Sequence, residues 1–540
     1  MHSVSTLWQF LCSYIMIIRH FGPHYIPRLQ VDSQCTVQVD IGSKAHLCTA
    51  QDHELTVGEN TWKSMIHFAV QLKEKNTRAA FFSSSPQFGS VARMRHALVR
   101  FSKLLGVDLA WYAPKPQPWV SKIRKKMRSI LEGVANADLQ ISNEEYNELQ
   151  GWIIENARRY WLPRNGPLRP VREGGAHVIV IDDFEMSGLV PIIKSLSPDR
   201  PVIYRSHTEI RFDLVAQAGS PQAEIWKVLW GDVCQADIFV SHPMRMFAPC
   251  DIPQKTLAYM PATTDWLDGL NKPLDSWYKS FYIHQYNLQC ETREMNGLDY
   301  PKRKYILQIS PFSPSEGIDT VLRSYSEFHK LLDLAQLPDK PQLVIAEHPS
   351  LDGPFGDLNY GQMLEQIQMR FPHLADDISV MQLDGSDQLL NTLISSAHVV
   401  LQLSTSGGFE TKVLESLHAG RPVITIPSGE IPFHLRDKEN GFLVEPGNYC
   451  AVAQHLLTLF TKPQAWAKMS HAARTGVTDE TSTPGNALSW YYLFTKLTGT
   501  GGLGSLQDAF KGHQKWVNDM AREEAEYPYR EGENRLPRSY

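Results

Sequence analysis

Residues 401–426, LQLSTSGGFETKVLESLHAGRPVITI, carry the clearest chemical signal in the sequence and read as strand, turn, helix, turn and strand. A helix that begins at the Gly-Gly turn has unpaired backbone N–H groups, which suit an oxygen-rich ligand. Glu415 lies one to two turns into this helix, where its carboxylate either accepts a sugar diol or remains a solvated surface group. The N–H groups belong to Gly408, Phe409, Glu410 and Thr411.

Two loops that follow apolar strands carry ionisable side chains. IDDFEMSGL (181–189) contains Asp182 and Asp183, which can accept sugar hydroxyl protons or cap the next helix. YRSHTEIR (204–211) contains Arg205, His207 and Arg211, which are hydrogen-bond donors at a strand end. We take His207, Arg205 and Asp183 as the catalytic candidates, with a structural role for the histidine as the alternative.

Two other loops are weaker candidates. SSSPQFGSVARMRH (83–96) opens a helix at Gly89, and its amides suit a sugar or an anion, although a plain strand-to-helix turn explains it equally well. YMPATTDWLDGLNKP (259–273) contains Asp265 and Trp266, a carboxylate and a ring that suit a carbohydrate. A packed linker is the alternative for this second loop.

Alternating strands and helices must position these loops. Short β-branched or aromatic runs separated by helix-length segments are typical of buried parallel strands, and the pattern is interrupted at about 262–304. Two sets of such units predict an α/β protein with two doubly wound, Rossmann-like domains and a ligand cleft at the carboxyl ends of the strands. The runs are 78–82, 107–112, 177–182, 201–205, 237–241 and 256–260, then 305–310, 342–347, 378–383, 398–403, 422–427 and 441–444.

These runs divide the chain into six segments. We expect a partly ordered N-terminal segment (1–75), a first Rossmann-like domain on the acceptor side (76–270) and a hinge (271–304). A second Rossmann-like domain on the donor side (305–480) is followed by a return helix (481–500). After a glycine-rich stretch, residues 501–540 read as a surface helix and a flexible tail.

Composition excludes several classes of protein. The 540 residues are 42% hydrophobic, which excludes a mainly disordered chain, and the net charge of −5 argues against a general nucleic-acid binder. Seven cysteines without a CxxC pair indicate neither a disulfide framework nor a zinc site. The apolar run 7–18 is too short to span a membrane, so we expect a cytoplasmic protein with no membrane or nucleic-acid partner.

The string STSGGFETKVLESLHAGRPVI (404–424) resembles the glutamate-bearing signature of the retaining glycosyltransferases of family four, which have the GT-B fold. Within that family the chain is most similar to the fungal trehalose phosphorylases and the related trehalose synthases. The resemblance extends over roughly residues 80–530. It rests on MRHALVRF (94–101), RPVIYRSH (200–207), YMPATTDWLDGLNKP (259–273), SDQLLN (386–391), NGFLVEPG (440–447) and WVNDMAREE (516–524).

The resemblance implies transfer of an α-glucosyl group with retention, between trehalose or glucose and either phosphate or a nucleotide sugar. It implies no metal or other cofactor, small sugars and sugar phosphates as partners, and compatibility with a homodimer. We assign the donor or phosphate to Gly317, Gly408, Phe409, Glu410, Thr411, Lys412 and Glu415, and the acceptor sugar to Gly89, Asp182, Arg205, His207, Arg211, Asp265 and Trp266.

Several ligand-facing positions depart from the family pattern. Relatives supply an Arg and a Lys from the first loop of the second domain, where this chain has Pro311 and Glu316. Gly407 replaces the first glutamate of a Glu-x7-Glu pair. Losing preorganised donors to a developing anion costs about 3–4 kcal/mol each, so a catalytically impaired sugar-binding or regulatory protein is the alternative to an active enzyme. The other departures are Phe88, Ser90, Phe184 and Glu185.

Overall fold

A computed structural model describes most of the chain. The described residues are 30–31, 34–38, 48–86, 89–135, 138–244, 247–312, 314–347, 355–383, 386–405, 411–500, 502–510 and 516–538. The apolar run 7–18 lies outside these ranges. Within them, no helix is both long enough and apolar enough to cross a membrane.

Six parallel strands form the sheet of the first domain. Near it, β1 (Gln30–Val31) and β2 (Val37–Gln38) pair antiparallel. The six strands are β3 (Ala79–Phe82), β4 (Leu109–Tyr112), β5 (Val178–Asp182), β6 (Val202–Arg205), β7 (Ile238–Ser241) and β8 (Leu257–Tyr259). Their order is β4–β3–β5–β6–β7–β8, and the register pairs Asp182 with Arg205 at the carboxyl edge.

A second sheet of six parallel strands forms the second domain. Its strands are β9 (Tyr305–Ile309), β10 (Gln342–Glu347), β11 (Ile378–Gln382), β12 (Val399–Gln402), β13 (Val423–Thr425) and β14 (Gly441–Leu443). Their order is β11–β10–β9–β12–β13–β14. Two doubly wound sheets confirm the α/β fold class that the sequence predicts.

The helices connect and cover these strands. In and around the first domain they are α1 (Ala50–Glu54), α2 (Glu59–Glu74), α3 (Gly89–Leu105), α4 (Pro118–Leu131), α5 (Asn143–Asn156), α6 (Leu189–Leu196), α7 (Phe212–Val215) and α8 (Pro221–Val233). The rest are α9 (Ser276–Thr292), α10 (Ile318–Leu334), α11 (Phe355–Arg370), α12 (Asp387–Ser396), α13 (Thr411–His418), α14 (Ile431–His434), α15 (Tyr449–Thr461), α16 (Pro463–Thr475), α17 (Thr483–Thr498), α18 (Gly502–Phe510) and α19 (Val517–Glu524). Short turns of other helix types occur at Ala157–Trp161, Val171–Glu173, Phe184–Met186, Pro314–Glu316, Pro372–Asp377 and Asp479–Thr481.

Both faces of each sheet are buried. Side chains alternate along a strand, so Phe81 packs into one core of the first domain and Phe82 into the other. Ile306 and Leu307 divide in the same way between the two cores of the second domain. This arrangement explains why the strands read as continuous apolar runs in the sequence.

The C-terminal segment differs from the expected surface helix and flexible tail. Helix α19 buries Val517, Met520 and Ala521 in a core of the first domain, because these residues form one apolar stripe. Beyond the helix, the Arg538 guanidinium donates to Glu480 at 2.6 Å from Nη2 and to Asp519 at 2.7 Å from Nε. The chain therefore returns from the second domain and completes the first.

Candidate functional site

Asp182 is the last residue of β5 and is buried at the carboxyl edge of the first sheet. Its carboxylate accepts two hydrogen bonds from Arg95, each at 2.6 Å, and one from Ser83 Oγ at 2.7 Å. His207 Nε2 lies 3.2 Å from the same carboxylate. Burial opposes ionisation of Asp182, but Arg95 and His207 outweigh it and hold its pKa well below the usual range. Asp182 is therefore a fixed negative charge, not a helix cap.

Asp183 organises the loop that follows β6. It accepts hydrogen bonds from the backbone N–H of His207 at 3.3 Å, from that of Thr208 at 3.1 Å and from Thr208 Oγ1 at 2.8 Å. Its φ of 62° lies in the left-handed region, which costs free energy for a non-glycine residue. Its side chain makes no capping hydrogen bond to the helical turn that follows, so Asp183 positions the histidine loop.

Arg205 and His242 extend the site along the strand ends. Arg205 Nη2 donates to the Met260 carbonyl at 2.9 Å and to His242 Nε2 at 3.2 Å. Arg205 Nη1 is buried and has no hydrogen-bond partner among the described atoms. A buried guanidinium with an unused donor suits an anionic or hydroxyl-rich ligand.

The second domain contributes the first turn of α13. Lys412 Nζ lies 2.6 Å from Glu415 Oε2, and both side chains are largely buried. Burial lowers the pKa of Lys412, while Glu415 opposes that effect. The helix therefore presents a desolvated cation and a carboxylate instead of the solvated glutamate that spacing alone left open. Gly407, Gly408, Phe409 and Glu410 lie outside the described residues.

Gly317 fixes the first loop of the second domain. Its φ is 70°, and a Cβ atom there would lie 2.0 Å from the Leu403 carbonyl oxygen. Only glycine allows this close approach between the β9 loop and the end of β12. In the same loop Pro311 is exposed and Glu316 is partly buried.

Direct contacts join the two domains around the cleft. Helix α3 begins at Gly89, which has a φ of 84°. Ser90, the next residue, has its Oγ 3.1 Å from Oγ1 of Thr411 in the second domain. Arg93 Nη2 donates to Asp387 at 3.2 Å, and its Nη1 lies 3.8 Å from Glu415. Helix α3 of the first domain thus faces α13 of the second.

A second interdomain contact centres on Glu430. Its Oε1 lies 2.5 Å from His242 Nδ1, and its Oε2 accepts the Ala262 N–H at 3.1 Å. Burial and Arg205 lower the pKa of His242 to about 3, so the ring is neutral. Because Arg205 donates to Nε2, the ring proton lies on Nδ1 and is donated to Glu430.

Three predicted acceptor residues have protein partners in the structure. Asp265 is buried in an ion pair with Arg100, and the Trp266 ring stacks on His418 with centroids 5.0 Å apart. Arg211 pairs with Asp213 at 2.6 Å and 2.8 Å. The hinge string is thus packed between the domains, and a sugar-binding role for these three residues stays a prediction.

The structure brings together Asp182, Asp183, Arg205 and His207 on one side, and Thr411, Lys412 and Glu415 on the other. Four residues that the sequence analysis did not select join them: Arg93, Arg95, His242 and Glu430. His242 and Glu430 follow β7 and β13, so the strand-end rule would have found both. Arg93 and Arg95 lie within a helix, where nothing in the sequence marks their direction.

The arrangement can hold a phosphate and a sugar side by side. Buried cations and helix N–H groups stabilise negative charge, and the carboxylates and histidines accept or donate to hydroxyl groups. In the described part of the chain, no group of three or more His, Cys, Asp or Glu side chains is arranged to hold a metal ion. The expectation that no cofactor is used stays a prediction.

Comparisons with family models match both domains. Residues 81–249 match the model described as "Trehalose synthase, N-terminal domain", and residues 305–462 match "Glycosyl transferases group 1". The first match spans β3 to β7, and the second spans β9 to α15. Both therefore cover the strand ends that carry the site.

Full-length relatives give a closer match. A trehalose phosphorylase from Grifola frondosa is 46% identical over 96% of this chain and 70% of its own length. A trehalose phosphorylase from Pleurotus pulmonarius is 44% identical over 97% of this chain and 70% of its own length. A trehalose synthase from Pyrococcus horikoshii is 22% identical over 78% of this chain and 90% of its own length.

Solved structures show the same fold. An α,α-trehalose-phosphate synthase from Burkholderia xenovorans superposes with a TM-score of 0.54 at 13% identity, over 80% of this chain and 99% of the other. A sucrose-phosphate synthase from Thermosynechococcus elongatus superposes with a TM-score of 0.53 at 16% identity, over 78% and 99%. At these identities the likeness establishes the two-domain architecture.

Proposed function

The chain belongs to the family of the fungal trehalose phosphorylases, and on that premise we propose that it transfers an α-glucosyl group between trehalose and inorganic phosphate with retention of configuration. It is a trehalose-related glycosyltransferase and a hexosyltransferase by these matches. We further propose that the acceptor of the glucosyl group is inorganic phosphate and not the nucleotide of a nucleotide sugar.

One observation carries this proposal. Asp182, Arg205 and His207 form a buried cluster at the strand ends of the first domain, and Arg93 of the same domain lies 3.8 Å from the Lys412–Glu415 pair of the second domain. The first cluster suits sugar hydroxyl groups because it combines fixed acceptors with fixed donors. The pair on the second domain begins at a helix N-terminus, which favours an anion.

The proposed reaction needs no protein nucleophile. The bond between C1 of one glucose unit and the glycosidic oxygen of trehalose breaks, and a bond from C1 to a phosphate oxygen forms on the same face. The proton lost by the phosphate moves to the departing oxygen, which leaves as the hydroxyl of free glucose. Negative charge on the phosphate is stabilised by fixed donors, because these need no reorganisation during the reaction.

Two cations stand in for those missing at Pro311 and Glu316. Lys412 lies 2.6 Å and Arg93 lies 3.8 Å from the Glu415 carboxylate, so both positive charges converge beside α13. Arg93 belongs to the first domain and completes the pair only when the domains are together. The comparisons give no support to the alternative of a catalytically impaired protein.

The test is a direct assay of the purified full-length chain. With trehalose and phosphate we expect release of glucose and α-glucose 1-phosphate, and with glucose and α-glucose 1-phosphate we expect release of phosphate. Asp183→Asn should abolish both reactions, because it removes the charge that orders the His207 loop. Asp333→Asn, at an exposed ion pair with Lys340, is the matched control.

Two results would overturn the proposal. Turnover of UDP-glucose and glucose without phosphate-dependent cleavage of trehalose would assign a synthase activity instead. Trehalose binding without turnover in either direction would favour the sugar-binding alternative. The cytoplasmic location and the homodimer that the sequence analysis allowed stay predictions.

A further inference from the structure

A cavity lies at the edge of the second sheet where the strands begin, opposite the edge that carries the candidate site. Its volume is about 250 Å³, which fits a phosphate group with a small substituent. It is formed where β9, β12 and β13 begin, on the far side of the sheet from the cleft. The lining includes Tyr300, Lys304, His398, Arg421, Pro463 and Trp466.

The charged side chains that line this cavity, Arg303, Lys304 and Arg421, are all positive. Arg421 donates to the carbonyl oxygens of Ala397 at 3.2 Å and Ala419 at 3.3 Å, which leave its charge uncompensated. Lys304 Nζ lies 5.9 Å from the centre of the Phe460 ring. Arg303 is paired with Asp377 at 2.7 Å, and no Asp or Glu occurs among the described residues that line the cavity.

Neighbouring groups respond to this charge. Burial, with smaller contributions from Lys304 and Arg421, lowers the pKa of His398 to about 4 against the opposing hydrogen bond to the Leu459 carbonyl. The pKa of Lys279 is also lowered by burial and by Arg421 and Arg474. Burial is the main cause of both shifts, and the nearby cations act in the same direction.

A helix start adds to the same field. Helix α16 is 13 residues long and begins at Pro463, which lines the cavity. Its N-cap residue, Lys462, makes no side-chain cap hydrogen bond. The helix dipole favours an anion near the cavity mouth, whereas Pro463 has no N–H group and the Trp466 N–H donates to the Lys462 carbonyl at 3.1 Å.

We propose that this cavity binds a small phosphate dianion, either inorganic phosphate or the phosphate group of a phosphorylated sugar. Lys304 and Arg421 supply the charge, the dipole at the start of α16 adds to it, and Trp466, stacked on His398 with centroids 4.8 Å apart, forms the wall. This proposal does not rest on the proposed function, because the cavity lies at the opposite strand ends from the cleft.

Protection of Lys304 from amine acetylation tests the site directly. Peptide mass spectrometry on the full chain should show slower acetylation of Lys304 in inorganic phosphate or glucose 6-phosphate, at constant ionic strength. Lys302, two residues away and exposed, should react at an unchanged rate. The phosphate that is more effective at lower concentration identifies which of the two sources the cavity prefers.

Two variants establish the origin of any protection. Arg421→Gln should weaken the protection of Lys304 by about tenfold in concentration, the effect of losing one charge-assisted hydrogen bond. Lys468→Gln, an exposed position on the same helix α16, should leave it unchanged. Isothermal titration of Lys304→Gln with inorganic phosphate gives a second measurement, and we expect weaker binding than in the parent protein. This result does not depend on whether Arg421→Gln folds normally.

The outcomes are decisive. Equal acetylation of Lys304 with and without phosphate, or equal protection of Lys302 and Lys304, would overturn the proposal. Protection of Lys304 at an unchanged phosphate concentration in Arg421→Gln would also overturn it. Loss of trehalose cleavage with Lys304 still protected would contradict the proposed function alone.

Discussion

His242 and Glu430 belong to different domains, and Nδ1 of the imidazole lies 2.5 Å from Oε1 of the carboxylate. Both residues are buried, and Arg205 donates to the other nitrogen of the ring. Glu430 therefore fixes the tautomer of a histidine in the opposite domain, and His242 Nε2 lies 3.4 Å from His207 Nδ1. This interdomain contact therefore orients a histidine that lies beside two of the catalytic candidates, Arg205 and His207.

Removing Glu430 should destabilise this closed arrangement. Glu430→Ala leaves a buried imidazole and the Ala262 N–H unpaired, so we expect the free energy of unfolding to fall by about 3 kcal/mol. Chemical denaturation measures this free energy of unfolding. We also expect the turnover of Glu430→Ala to fall. Glu439→Ala, which removes an exposed ion pair with Arg436, is the matched control. Equal stabilities of the two variants would contradict this role for Glu430.

Asp182 should make the folded state sensitive to acid. Its pKa is depressed in the folded state, so its contribution to stability is complete above about pH 4 and is lost as the pH falls towards the folded value. We expect the free energy of unfolding of Asp182→Asn at pH 7 to be about 3–5 kcal/mol lower than that of the parent protein. Its free energy of unfolding should also fall less steeply at acid pH, which is the acid limb of the stability curve. Urea unfolding from pH 2 to pH 7 checks this, because the loss occurs below about pH 4. An unchanged acid limb would refute the assignment.

Glu185 should act in the opposite direction. Burial and the neighbouring Asp183 raise its pKa, and its Oε2 has no hydrogen-bond partner among the described atoms. Ionisation as the pH rises therefore destabilises the fold. The parent protein should lose about 1–2 kcal/mol of its free energy of unfolding between pH 5.5 and pH 8, and Glu185→Gln should not show this loss. The exposed Glu224→Gln should behave like the parent. Parallel losses in Glu185→Gln and the parent would disprove the shift.

Lys412 should matter more for turnover than for folding. If it faces the phosphate, Lys412→Met should lower kcat/KM for phosphorolysis by about 10² to 10³, the effect of losing a preorganised donor. Lys412→Arg should restore part of the activity because it keeps the charge. Lys438→Met removes a mostly exposed lysine and serves as the control. A thermal melt separates any loss of fold, and full activity in Lys412→Met would exclude the role.

Gly317 offers a steric test of the donor-side loop. Gly317→Ala places a methyl group against the Leu403 carbonyl, and we expect a loss of more than about 2 kcal/mol of stability. Gly447→Ala has a similar φ of 74° but nothing within 4 Å, so it reports the backbone cost alone. The difference between the two variants measures the close approach. If thermal melts of the two are equal, the β9 loop does not pack as described.

The sequence by itself determined the architecture and the edge of the sheet where chemistry occurs. Continuous apolar runs such as VIVI in β5 require burial on both faces, which only parallel strands covered by helices provide. Because strand ends meet at one edge, Asp182, Asp183, Arg205 and His207 were predictable as neighbours. The position of Glu415 on α13 followed from the same argument.

Only the tertiary structure decided which partners these residues have. Arg95 and Arg93 lie two residues apart on α3, yet one neutralises Asp182 and the other reaches Glu415 in the second domain. The Glu430–His242 contact spans 188 residues of sequence, and Arg538 joins Glu480 and Asp519 across 58 and 19. Such pairings depend on how the two domains and the returning C-terminal segment pack, and local propensity does not encode that geometry.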